Sequence, residues 1–348
     1  MPSRLLAVAL LFCVPLSIRA ESPHAATIES SLASDGDRIR QLAFDGDKMS
    51  YFASAKNASA TDHFTFILDK PLAIRSIQVL TGRPDGSQKL TAAALEISTD
   101  GKRFEELATF RAGVAASKPK DEKIRAIRIQ LKKDLKYPLV VREIVLVGDP
   151  ALAVFKHPVE FTVDASDAPE MKEWAEKSAR LCERWYDRIN EELKSPRFQP
   201  PRRVRMTIKK MKGVAYTTGT DIVGSAAFFK EHPDDFGAMI HETAHVVQSY
   251  RLPGNPGWLV EGVADYVRFF KYEPGKIGPL NPRTVRHDGS YRMSAAFLAY
   301  LTEKYDKEIV RKLNKMMREG EYKKEIFQKL TGKSLEKLGE EWRATLKG

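Results

Sequence analysis

The chain has 348 residues, of which 30% are charged and 43% hydrophobic, with a formal net charge of +11 and two cysteines. That length exceeds what one hydrophobic core usually supports, so two domains are expected, and two cysteines exclude a disulfide-stapled scaffold. Lysine and arginine are interspersed with aspartate and glutamate and form no basic block interleaved with aromatics, which argues against a nucleic-acid binder.

Residues 1–20 have the pattern of a secretory signal peptide. Arg4 precedes an apolar run from Leu5 to Ile18, and the small Ala20 follows. The run is shorter than the roughly 20 residues that span a bilayer, and nothing later is comparably apolar. Cleavage after Ala20, with Ala25 and Ala26 as later alternatives, removes Arg4, Arg19 and Cys13 and no acid, leaving a charge of +9 and one cysteine. The product is expected to be secreted or periplasmic and to lack a transmembrane segment. Its basic excess could draw it to anionic cell-wall polymers or membrane surfaces, but the scattering of both signs favours an ordinary solvated surface. The remaining thiol, Cys182, lies in an apolar helical stretch with Ala179, Leu181 and Trp185 and is expected in the core, where it neither staples the fold nor acts as nucleophile.

Residues 27–150 alternate apolar and polar side chains in short segments: "HFTFILD", "IRSIQVLTG", "AALEISTDG", "KIRAIRIQL" and "VVREIVLVG". Asp-Gly pairs at Asp45, Asp85 and Asp100 mark turns between them. Period-two alternation with frequent turns predicts an antiparallel β-sandwich with one face of each strand buried. "LAFDGDKMSYFAS", "LEISTDGKRFEELATF" and "RAIRIQL...VVREIVLVG" together resemble the discoidin, or coagulation factor 5/8 type C, galactose-binding-like modules. That resemblance implies a glycan- or surface-binding role and a structural Ca2+ near Asp45 and Asp47. Tyr51 and Phe52 sit where such a module can present aromatics, but are expected to pack instead.

After Asp149-Pro150 the period changes. A strand "VEFTVD" precedes a helical stretch whose Trp174, Ser178, Leu181, Trp185 and Ile189 fall near one face. "RRVRMTIKKM" and the Gly- and Thr-rich "GVAYTTGTDIVGSAAFF" read as further strands, and from Pro233 onward the pattern is helical. Strands followed by a run of helices predict an α+β domain over residues 157–348. Past Tyr291, the expected apolar face consists of Phe297, Leu298, Leu301, Ile309, Leu313 and Met316.

The chemistry concentrates in "HETAHVVQSYRLPGNPGWLVEGVAD", residues 241–265. Residues four apart share a helix face, so His241 and His245 present both rings to one point with Glu242 beside them. HExxH lets two imidazoles hold a zinc ion while the glutamate serves as general base. The breaker-rich turn "RLPGNPG" then leads into a second helix, with Leu259, Val263, Tyr266 and Val267 available for a core face. An antiparallel return through so short a turn brings Glu261 beside the histidines as a third ligand. Asp265, one turn further, can accept the outer N–H of a ligating histidine.

HExxH followed by "WLVEGVADY" resembles the gluzincin peptidases. More narrowly, "GVAYTTGTDIVGS", "MIHETAHVVQSY", "GWLVEGVADYVR", "SYRMSAAFLAYLTEKY" and "LTGKSLEKLGEEWR" resemble the basic secretory protein peptidases of plants and bacteria. The resemblance implies a zincin-like fold, a Zn2+ cofactor, hydrolysis of peptide or protein substrates, and an edge strand within Gly213–Ser225 that pairs with substrate. Gln248 and Arg251 stand where a metzincin has glycine and histidine, and an aspzincin would ligate through an aspartate, so Asp265 rivals Glu261 for the third position. Tyr291 is the candidate donor to the developing oxyanion, and His287 is expected to be an exposed loop residue. The rival reading is a non-catalytic carbohydrate- or surface-binding protein that retains the zincin shape. Its mark would be a lost ligand or base, and none is lost.

Overall fold

The computed structural model describes residues 26–119, 123–289 and 291–346; the signal peptide expected at residues 1–20 lies outside them. The N-terminal strands are β1 (Ala26–Ser30), β2 (Phe52–Asn57), β3 (His63–Thr81), β4 (Ala93–Ser98), β5 (Glu105–Thr109), β6 (Val114–Ser117), β7 (Lys123–Leu131) and β8 (Pro138–Asp149). Every pairing among them is antiparallel.

The two segments "HFTFILD" and "IRSIQVLTG" are one strand, β3, rather than two. Its first half pairs with β1 and β7, and its second half pairs with β6 and β8. The register shifts between Ile67 and Leu72, around Pro71, which has no N–H to give to a ladder. β3 thus bends from one layer of a sandwich into the other. Phe64, Phe66, Ile77, Val79, Ile127 and Val141 fill the space between the layers. Phe52 is fully buried, as its packing role requires. Tyr51 is half-buried, with its hydroxyl accepting from Arg83 at 3.0 Å.

The C-terminal domain comprises β9 (Glu160–Asp164), α1 (Lys172–Glu192), β10 (Arg203–Lys209), β11 (Ala215–Thr218), β12 (Asp221–Ser225), α2 (Ala226–Glu231), α3 (Phe236–Gln248), α4 (Gly257–Tyr266), α5 (Tyr291–Lys304), α6 (Ile309–Arg318), α7 (Ile326–Thr331) and α8 (Leu335–Thr345). Its sheet runs β11-β12-β10-β9, with β9, β10 and β12 parallel and β11 an antiparallel edge. The stretch "AAFF" forms α2 because the Ser225 side chain caps it, accepting from the Phe228 N–H. In α6 the buried methionine is Met317, four residues after Leu313, and not Met316. α3 is buried on nearly all sides, between α1, the sheet and α4. Among the described residues no helix is long and apolar enough to cross a membrane.

Buried polar contacts join the domains. Ser34 Oγ donates to Glu160 at 2.5 Å, and Gln41 accepts from the Val159 N–H at 2.9 Å. Arg40 lies 3.6 Å from Glu160 and 3.0 Å from Glu183. Both glutamates are almost inaccessible to water, so Arg40 supplies charge that the junction needs.

Candidate metal centre

α3 begins at Asp235, whose carboxylate accepts from the Ala238 N–H at 3.1 Å. The helix ends in a left-handed Ser249 (φ 47°), and Arg318 donates to the carbonyls of Val247 and Gln248, which the helix end leaves without a partner in the next turn. His241 and His245 therefore stand on a helix fixed at both ends. α4 packs closely on α5 at Gly262, where an added Cβ would lie 2.6 Å from the Ser294 side chain. That close approach places Glu261 and the start of α5 at the same cleft.

His241 Nε2 lies 3.0 Å from His245 Nε2 and 3.1 Å from Glu261 Oε2, which is 3.4 Å from His245 Nε2. Asp265 sits on the opposite nitrogen of His241, with Nδ1–H donating to Oδ1 at 2.6 Å. Sequence reasoning missed the matching support for His245. Its Nδ1–H donates to Gln248 Oε1 at 2.7 Å, and Gln248 Nε2 donates to the Val260 carbonyl at 2.9 Å. The carbonyl fixes which end of the amide faces His245, and hence which nitrogen of that ring is protonated. Gln248 lies three residues after His245 in the same helix, so the spacing carried this signal.

With both Nδ1 atoms donating outward, the two Nε2 atoms and a carboxylate oxygen face one another across a space that suits a cation, a proton in the bare site or a metal ion in its place. The donor atoms of His241, His245 and Glu261 lie within 4.8 Å of one another, the only such group of three among the described residues. Asp45 and Asp47 are not part of one. Two imidazoles and a carboxylate converging in this way suit a borderline divalent ion such as zinc. The titration of the bare site shows the same demand for positive charge. Burial disfavours the His241 cation, but hydrogen bonds to Asp265 and Glu261 outweigh it and push the ring up to about 9. Burial likewise opposes ionisation of Glu261, yet the two histidines hold its carboxyl well below the usual range. Protons and a metal ion would compete for this site.

The three groups and Glu242 line a cleft of about 850 Å³, together with Tyr216, Thr217 and Tyr291. Thr217, on the edge strand β11, donates to Glu242 Oε2 at 2.7 Å, a contact between distant segments that sequence spacing does not announce. Tyr291 is 56% exposed, with its ring stacked 6.2 Å from that of His241. Its φ of 47° is an uncommon one for a bulky residue, and such strain is found disproportionately at functional sites. The Glu261 charge, then burial, raise its hydroxyl pKa, so it stays a hydrogen-bond donor. His287 is not an exposed loop residue. It is half-buried against Trp258 and Phe297, away from the cluster.

Residues 165–342 match the family described as "Peptidase of plants and bacteria". The chain belongs to this peptidase family. Within this member, the N-terminal residues 25–144 match the F5/8 type C domain. No curated protein matches the chain. Solved structures similar to this peptidase include CBM32-1 from a family 31 glycoside hydrolase of Clostridium perfringens, 22% identical, covering 35% of this chain and 93% of that one with a TM-score of 0.30. Chitosan-binding module 1 from a chitosanase/glucanase of Paenibacillus sp. IK-5 is 13% identical, covering 36% and 98% with a TM-score of 0.29.

Proposed function

We propose that the protein is an exported, zinc-dependent peptidase whose sandwich domain holds it at a glycan or other surface polymer. The observation that carries the catalytic part is the convergence of His241, His245 and Glu261 beside Glu242 in one cleft. Export rests on the signal-like residues 1–20, and the surface role on the F5/8 type C match. Ca2+ near Asp45 and Asp47 is proposed as structural; burial and those two charges push Glu143 up to about 7, which marks a local excess of negative charge.

His241, His245 and Glu261 would hold the zinc, and Asp265 and Gln248 would orient the two rings. Zinc, when bound, supplies Lewis acidity toward water and toward the scissile carbonyl. An extended peptide adds to the free edge of β11 through main-chain hydrogen bonds. The Glu242 carboxylate takes a proton from the attacking water and returns it to the leaving amine. The Tyr291 hydroxyl donates to the oxygen on which negative charge develops.

The test is metal content by mass spectrometry beside casein hydrolysis, with and without chelator, on the wild type and His245→Ala. The expected result is about one zinc per chain, lost in the variant, together with chelator-sensitive cleavage. Zinc without cleavage of any peptide would point to a different hydrolysis, and a chain that binds no zinc would sink the reading.

A further inference from the structure

Resting on the peptidase reading, we infer that Thr217 is a positioning residue for Glu242, tying the general base to the strand on which substrate would lie. Thr217 belongs to β11, which has a neighbour on one side only. Its Oγ1 lies 2.7 Å from Glu242 Oε2 and 3.1 Å from the main-chain oxygen of the same residue. A hydroxyl carries one proton, and the shorter contact to the charged acceptor takes it. Among the described residues nothing else hydrogen-bonds the Glu242 carboxylate, so this one bond selects among the rotamers of a long side chain.

The other carboxylate oxygen is left without a partner in the cleft, available to the attacking water. A peptide pairing with β11 would order the backbone that carries Thr217, so substrate docking and base orientation share one residue. A general base contributes roughly 10²–10⁴-fold, and a misplacement of about 1 Å costs up to roughly 10²-fold. Loss of the hydroxyl is therefore read in kcat and not in substrate binding.

The experiment compares Thr217→Val, which keeps the β-branched shape and replaces the hydroxyl with a methyl group, with Thr217→Ser, which keeps the hydroxyl. On a peptide substrate, Thr217→Val is expected to lower kcat by about 10–100-fold with KM within about twofold. Thr217→Ser should restore kcat to within about threefold of wild type, with zinc content and melting temperature unchanged across the set. Wild-type kcat in Thr217→Val, while Glu242→Gln is inactive, would overturn the inference and leave the peptidase reading intact. A rise in KM or a loss of zinc content instead of a fall in kcat would also overturn it, since a packing role predicts that. A zinc-loaded wild type that cleaves no peptide would remove both.

Discussion

Replacing Gln248 by leucine tests whether this residue sets the state of His245. The side chain is 1% exposed and makes two hydrogen bonds, from His245 Nδ1–H at 2.7 Å and to the Val260 carbonyl at 2.9 Å. Leucine has similar volume and neither polar group, so packing survives while the His245 N–H loses its partner and the Val260 carbonyl keeps only its bond within α4. An N–H left without a partner costs about 1–3 kcal/mol, so stability should fall by roughly that amount. The imidazole is then free to carry its proton on Nε2, the atom required as a lone pair. Losing such an outer partner typically weakens metal binding about 10–100-fold, or roughly 1.4–2.7 kcal/mol. Zinc affinity is measured by competition with a chromophoric chelator, and stability by denaturant unfolding of the metal-free protein. Gln248→Glu restores an acceptor for His245 but sets a carboxylate oxygen against the Val260 carbonyl. It should bind zinc within about threefold of wild type while remaining less stable. Wild-type zinc affinity in Gln248→Leu would refute the argument, because no remaining group in the described structure could hold that ring.

Three further outcomes follow from particular contacts. Arg40→Ala leaves Glu160 buried without a cation, while Glu183 keeps Arg180 at 2.8 Å, so denaturant melts should show a loss of about 3–5 kcal/mol, and a loss under about 1 would mean that water reaches the junction. Tyr291→Phe removes a donor that stays protonated. Initial-rate kinetics should show kcat down roughly 10²–10³-fold with zinc retained; an unchanged kcat would dismiss the tyrosine as an oxyanion donor. In chelator, Glu143 titrates near 7, against 4.5 for a free glutamate. A carboxyl raised in the folded state favours folding fully below about 4.5, and that contribution is lost as pH rises through about 7. The sandwich should therefore lose about 1–3 kcal/mol between pH 5 and pH 8 by thermal melts, and Ca2+ should reverse the loss. A flat profile in chelator, or no response to Ca2+, would remove the cation from this loop.

The part of the centre that repeats with the helix was legible in the sequence. His241, Glu242 and His245 follow from spacing within one helix, and Asp265 from its spacing to Glu261 in the next. Gln248 obeys the same rule, at three residues from His245, and was overlooked because an amide is less conspicuous than a carboxylate as a support for histidine. Thr217 was beyond reach, since it meets Glu242 across twenty-five positions through a strand edge whose place depends on the whole sheet. The domain junction was hidden for the same reason: Arg40 and Glu183 are 143 residues apart and look, singly, like ordinary surface charges. In the sandwich, alternation located the buried faces correctly. It could not show that "HFTFILD" and "IRSIQVLTG" are one strand, because Pro71 reads as a break when it is in fact a bend that keeps the chain extended.

The two helices of the centre support each other reciprocally. Asp265, on α4, orients His241 on α3, while Gln248, on α3, holds the Val260 carbonyl that directly precedes Glu261 on α4. A slide or rotation of either helix would break a support on one side and displace a donor atom on the other. The supports also differ in charge. Glu261, Asp265 and Glu242 already bring three carboxylates to the site, and a dication would leave that set with one net negative charge. An acid in place of Gln248 would add another buried negative charge, with desolvation to overcome and a carbonyl to repel it. The amide fixes the tautomer of His245 without that charge, and it can do so only while α4 presents its carbonyl. Metal affinity and the packing of α3 on α4 should therefore fall together when Gln248 is altered. Changes at Asp265 should act more strongly on His241, which alone has an anion on its outer nitrogen.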